Sequence, residues 1–142
     1  MIQRIQTVYL LIALIFSILL FVVPMWSTTL QSDGMSEIGA GTHLLLMPVA
    51  ALLCLTLLIS IFLFGKRKLQ IIICRVAMTF TILFFLMSLL FIHKEQNLFS
   101  SGTLKGFSFG AIFPIIIFVF ELLAVSNIQK DEKMIRDMDR LR

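Results

Sequence analysis

The chain has 142 residues, of which 59% are hydrophobic and only 14% charged, and its mean hydropathy is +1.03. Soluble domains are about half apolar and about a quarter charged, so this composition excludes an ordinary water-soluble globule and leaves too little polar chain for a separate soluble domain. The excess of 12 Lys and Arg over 8 Asp and Glu does not mark a nucleic-acid binder, because the basic residues stand at the ends of apolar runs and form no patch interleaved with aromatics.

Crossing a hydrocarbon core takes about 20 apolar residues in helical form. Four runs meet that need, at 8–26, 44–64, 71–92 and 108–127. The first follows Arg4 and so has the start of a secretory signal, but it is too long for one and no small-residue cleavage site follows Trp26. Tyr9 and Trp26 stand about 26 Å apart along a helix, which suits the two interfacial anchors of a retained span. The segment after it carries Gly34, Gly39 and Gly41 among Ser and Thr, a composition of turns and too short for a folded outer domain. Pro48 predicts a bend or a late start for the second helix. Lys66, Arg67 and Lys68 then mark a tight basic link, and Arg75 lies just inside the third run. The next loop, around 93–107, is again rich in Gly, Ser and Asn.

Gly106 and Gly110 form a G-x-x-x-G at the entrance of the fourth run, a spacing that lets helices approach closely and so predicts a packing face. Gly110 has a second explanation, since it would ease a bend imposed by Pro114 four residues on. After the fourth run, residues 128–142 place Ile128, Met134, Ile135, Met138 and Leu141 at helical spacings, with Glu132–Arg136 and Lys133–Asp137 as i,i+4 pairs. This is the pattern of an amphipathic helix, and its nearly balanced charge favours a protein partner, or the membrane surface, over a polybasic lipid switch. Met134, Ile135, Met138, Leu141, Arg136 and Arg140 are its candidate partner-binding residues.

Lys94 and Lys105 are the only basic residues in the two loops on one side; the other ten Lys and Arg fall at the N-terminus, in or beside the 65–70 link and in the tail. By the positive-inside bias both termini face the cytoplasm. The expected fold is therefore an all-α membrane protein, with a four-helix transmembrane bundle over 1–127, made of two hairpins, and a cytoplasmic amphipathic helix over 128–142.

Arg75 and Glu121 are the charged residues within the runs. Counted along antiparallel helices, they lie about 6 Å and about 9 Å inside the same end, so matching depth predicts an intramembrane ion pair. Such a pair reads first as an interhelical clamp; the alternative makes Glu121 a proton or cation carrier tuned by Arg75. Cys54 and Cys74 differ by about 10 Å in depth, too far for a disulfide. His43 and His93 lack the spacing of metal ligands, and the Phe and Met content shows no haem-ligand arrangement, so no metal or cofactor is expected. No nucleophile–base pair or phosphate-binding loop can be assembled, and an enzyme is not expected.

The opening Met-Ile-Gln-Arg-Ile-Gln-Thr-Val-Tyr-Leu (Met1 to Leu10) and the closing Lys-Asp-Glu-Lys-Met-Ile-Arg-Asp-Met-Asp-Arg-Leu-Arg (Lys130 to Arg142) resemble an uncharacterised family of four-helix membrane proteins from Gram-negative Bacteroidota. That resemblance spans the whole length, implies the inner membrane, and supplies no catalytic residues. The function expected first is an accessory or assembly subunit of a larger inner-membrane complex, in contact with lipids and other integral membrane subunits. The alternative is a small oligomeric transporter or lipid-handling protein that uses Glu121 and Arg75.

Overall fold

The computed structural model describes residues 3–30, 34–38, 40–41, 44–98, 104–107 and 109–140. Four helices make up most of the described chain: α1 Gln3–Leu19, α2 Leu46–Phe62, α3 Arg67–Leu98 and α4 Phe113–Arg140. Their ends follow local chemistry. α1 gives way to turns, closed by bonds such as Val23 N to Leu19 O at 2.9 Å, before Pro24, which disfavours a helical conformation in the residue ahead of it. Pro48 is the third residue of α2 and Pro114 the second of α4, positions where a missing N–H leaves no helical bond unmade. Pro48 therefore accompanies a late start at Leu46, and Pro114 stands in the opening turn of its helix. A 3-10 turn, Leu63–Gly65, links α2 to α3.

The segments read as turns hold a small sheet. β1 Trp26–Leu30 and β2 Gly34–Ile38 pair antiparallel, with Trp26 opposite Ile38 and Leu30 opposite Gly34. β3 Leu104–Phe107 pairs antiparallel with the other edge of β1, giving the order β2-β1-β3. The first apolar run thus ends as helix at Leu19, and Trp26 begins a strand. Thr28, Thr29 and Trp26 suit an extended backbone, a preference that the local hydropathy of the run conceals.

Each helix packs on its sequence neighbour, and α4 returns to pack on α1, which closes an antiparallel four-helix bundle. Tyr9 meets Phe120 with ring centroids 6.1 Å apart, and Phe16 meets Phe113 edge-on at 5.4 Å, so the α1–α4 seam is aromatic along much of its length. The inward positions recur at intervals of three and four: Gln6, Leu10, Ala13, Ser17 and Leu20 on α1, and Leu46, Ala50, Leu53, Leu57 and Ser60 on α2. α3 contributes Cys74, Ala77, Thr81, Phe84 and Ser88, and α4 contributes Ile117, Glu121, Ala124, Ile128 and Asp131. Small and polar residues are unusually frequent on these faces. Many large aliphatics point outward, as Ile15, Ile18, Leu55, Leu58, Ile82, Leu86, Ile115 and Leu122 illustrate.

Two of the four helices contain stretches long and apolar enough to cross a membrane, Lys68–Phe91 with mean hydropathy 2.2 and Phe109–Met134 with 2.4. Ile5–Leu19 and Leu46–Phe62 are shorter apolar helices. Four apolar runs in the sequence therefore correspond to two helices that meet the full length criterion.

Candidate functional site

Polar groups inside the bundle lie in layers. At the end that holds the start of α1 and the 63–67 link, the Gln6 side-chain amide donates to an Asp131 carboxylate oxygen, and both side chains are buried. Further along, Gln70 Nε2 donates to the Ser60 carbonyl at 3.1 Å, and the Ser60 hydroxyl lies 2.8 Å from Cys74 Sγ. Ser17 gives its proton to the Leu14 carbonyl at 2.7 Å, so the Cys54 thiol, 3.1 Å away, is the donor in their contact. Both cysteines are free thiols.

Between these layers lies a second buried acidic side chain of α4. Glu121 is fully buried, and its two oxygens lie 3.1 and 3.0 Å from the Thr81 hydroxyl. That hydroxyl also lies 3.1 Å from the Ala77 carbonyl. One proton therefore serves three acceptors, which leaves most of the carboxyl's hydrogen-bonding capacity unused in an apolar setting.

The expected Arg75–Glu121 ion pair is not formed. Arg75 is exposed, whereas Cys74, Ala77 and Thr81 carry the inward face of α3. One residue turns a helix by about 100°, so Arg75 shares the depth of the bundle interior but not its direction. Thr81 takes the partner's place. The signal for it lay in spacing, because Cys74, Ala77, Thr81, Phe84 and Ser88 follow one helical face. The same rule applied to Gln6, Leu10, Ala13 and Ser17 would have placed Gln6 inside.

The paired glycines are likewise separated. Gly106 is in β3 and Gly110 in the 3-10 turn Phe109–Ile112, so they do not share a helix face. Gly110 does mediate a close approach, but with the chain after α1: a Cβ there would stand 2.5 Å from the Pro24 carbonyl oxygen. Of the tail, Ile128 and Asp131 are buried in the bundle and Met134 is half-exposed. No break separates 127 from 128, because α4 runs unbroken from Phe113 to Arg140. Ile135, Arg136, Met138 and Arg140 belong to that helix by backbone, with their side chains outside the description, and Leu141 lies outside the described residues. His43 also lies outside them, and among the described residues no cluster of three metal-ligating side chains occurs.

A groove of about 180 Å³ opens on the outer surface between α3 and α4. Ile82, Leu86 and Ile115 are exposed at its rim, Phe85 and Phe118 are half-buried in its walls, and Thr81 and Pro114 are buried beneath it. The lining of the groove is wholly apolar, and the groove ends on Thr81, whose hydroxyl turns inward to Glu121.

Over residues 2–141 the sequence matches the family model described as a domain of unknown function, DUF4293. The chain belongs to the DUF4293 family. No curated protein and no solved structure matches it. Membership extends across the bundle, the sheet and all of the α4 extension, so all three are parts of one family unit.

Proposed function

We propose that all four helices lie across the bacterial inner membrane, with both termini cytoplasmic, and that the chain is an accessory or assembly subunit of a larger membrane complex. The outward-facing aliphatics support the bilayer placement, since water leaves no reason to put Leu and Ile outside while Ser, Gln and Glu sit inside. The two shorter helices reach adequate length through their end turns: α2 with the following 3-10 turn covers Leu46 to Gly65, about 30 Å of rise.

The observation that carries the subunit reading is the construction of α4. Its base is fastened to α1 through Ile128 and the Gln6–Asp131 bond, while Met134, one turn beyond, presents half its surface. An arm rooted in the bundle and continuing as helix is pre-organised for docking, because the ordering entropy is already spent. Partners of this arm and of the apolar helix faces are other integral membrane subunits and lipids.

The test is a pull-down from native membranes in mild detergent, comparing the intact chain with one ended after Lys133, which keeps Ile128 and Asp131. A stoichiometric partner present with the intact chain and lost on shortening is the expected result. Recovery of the intact chain alone would remove the reading. Glu121 and the groove beside it favour a second reading, small-molecule or lipid handling, in which Thr81 rather than Arg75 serves the carboxyl.

A further inference from the structure

Glu121 is fully buried in the bundle, and the Thr81 hydroxyl is the donor that meets it; no cation faces it among the described residues. A carboxylate formed in such a place would lack a counter-charge, and bringing one in through an apolar region requires a carrier that is itself lipid-soluble. The α3–α4 groove offers the route. Its rim, Ile82, Leu86 and Ile115, lies on the outward surface, and its floor includes the apolar side of Thr81, whose hydroxyl behind that floor lies 3.1 and 3.0 Å from the Glu121 oxygens. Phe85 and Phe118 in the walls present aromatic surface, which attracts a positive head passing between them.

We propose that the groove and Glu121 form a lateral binding site for a lipophilic amine, a molecule with an alkyl body and a basic nitrogen that enters from the bilayer. The alkyl body fills the apolar groove. Rotation of Thr81 about χ1 opens the floor, and the amine N–H donates to a Glu121 oxygen, so that amine and acid are neutral as a unit whichever of them carries the proton. The amine is favoured over an alcohol or a plain acyl chain by charge complementarity, since neither of those can take up the acid's proton and become its counter-charge. The proposal goes beyond the docking role of α4 and rests only on the placement of the bundle in a bilayer.

The full-length protein in lipid nanodiscs is treated with dicyclohexylcarbodiimide, an apolar reagent for carboxyl groups, and adducts are located by peptide mass spectrometry. Labelling is expected at Glu121 and absent in Glu121→Gln. Dimethyldodecylamine, which as a tertiary amine forms no amide, is expected to slow labelling about tenfold when present at about ten times its dissociation constant. Dodecanol is expected to leave the rate within twofold. Ile115→Trp, which fills the groove mouth without touching Glu121, is expected to slow labelling several-fold with an unchanged melting temperature. Absence of wild-type labelling, equal protection by amine and alcohol, or full-rate labelling in a folded Ile115→Trp would each overturn the proposal. Failure of the protein to enter nanodiscs would instead count against its placement in the membrane.

Discussion

The Glu121–Thr81 contact is a case where one side chain's cost is set by another's single proton. Removing that donor while the carboxyl stays buried leaves the acid with no hydroxyl to meet it, which costs about 1–3 kcal/mol. Thr81→Val is therefore expected to lower stability by about that amount, measured as reversible denaturation in mild detergent. The double change Thr81→Val with Glu121→Leu should recover most of the loss, because two apolar partners leave nothing unsatisfied. If the double variant were as unstable as Thr81→Val alone, the loss would lie in packing at Thr81 and the hydrogen bond would matter little. The residue scale also shows why depth is a poor guide to partners. Arg75 lies near the right height, but rotation around α3 turns it outward and presents Thr81 instead.

Among the elements, the loops do more than connect. The sheet β2-β1-β3 ties the segment after α1 to the segment before α4, and Gly110 brings the entrance of α4 against the backbone at Val23 and Pro24. A Cβ at Gly110 would stand 2.5 Å from the Pro24 oxygen, 2.9 Å from its carbonyl carbon and 3.0 Å from the Val23 oxygen. Backbone cannot yield as a side-chain tip does, so Gly110→Ala is expected to destabilise by about 1–3 kcal/mol. Gly65→Ala, where a Cβ meets nothing within 4 Å, should remain within about 0.5 kcal/mol of the parent. Thermal melting of the two variants side by side checks this, and equal melting temperatures would mean that the α4 entrance is free to move away from Pro24.

At the scale of the molecule, the many large aliphatics exposed around a bundle that also buries small and polar residues make a prediction that separates lipid from water. Leu55, in the middle of α2, is 55% exposed. On a soluble bundle, Leu55→Arg would change stability by no more than about 0.5 kcal/mol. In a bilayer the same change costs about 2.5–3.5 kcal/mol, so it is expected to reduce the membrane-inserted fraction measured after carbonate extraction. Undiminished insertion would be incompatible with α2 as a span. The interior polar layers fit the same placement, since small residues let helices approach where lipid supplies no hydrophobic drive, and side-chain bonds such as Gln70 to Ser60 join neighbours.

The four apolar helices and their approximate places were legible from the sequence, as was a late start of the second helix, one of the two outcomes Pro48 allows; a separate tail helix was not found, because α4 runs unbroken from Phe113 to Arg140. What was legible rests on local composition, on the length of an apolar run, or on proline's missing donor. The partner of Glu121, the burial of Gln6 against Asp131, the strand at Trp26 and the contact of Gly110 with Pro24 depend on which faces of distant segments meet. Hydropathy along the chain reports depth, one coordinate of three. The rotation of each helix about its axis, and the neighbour against which it packs, arise only when all four inward faces are satisfied together.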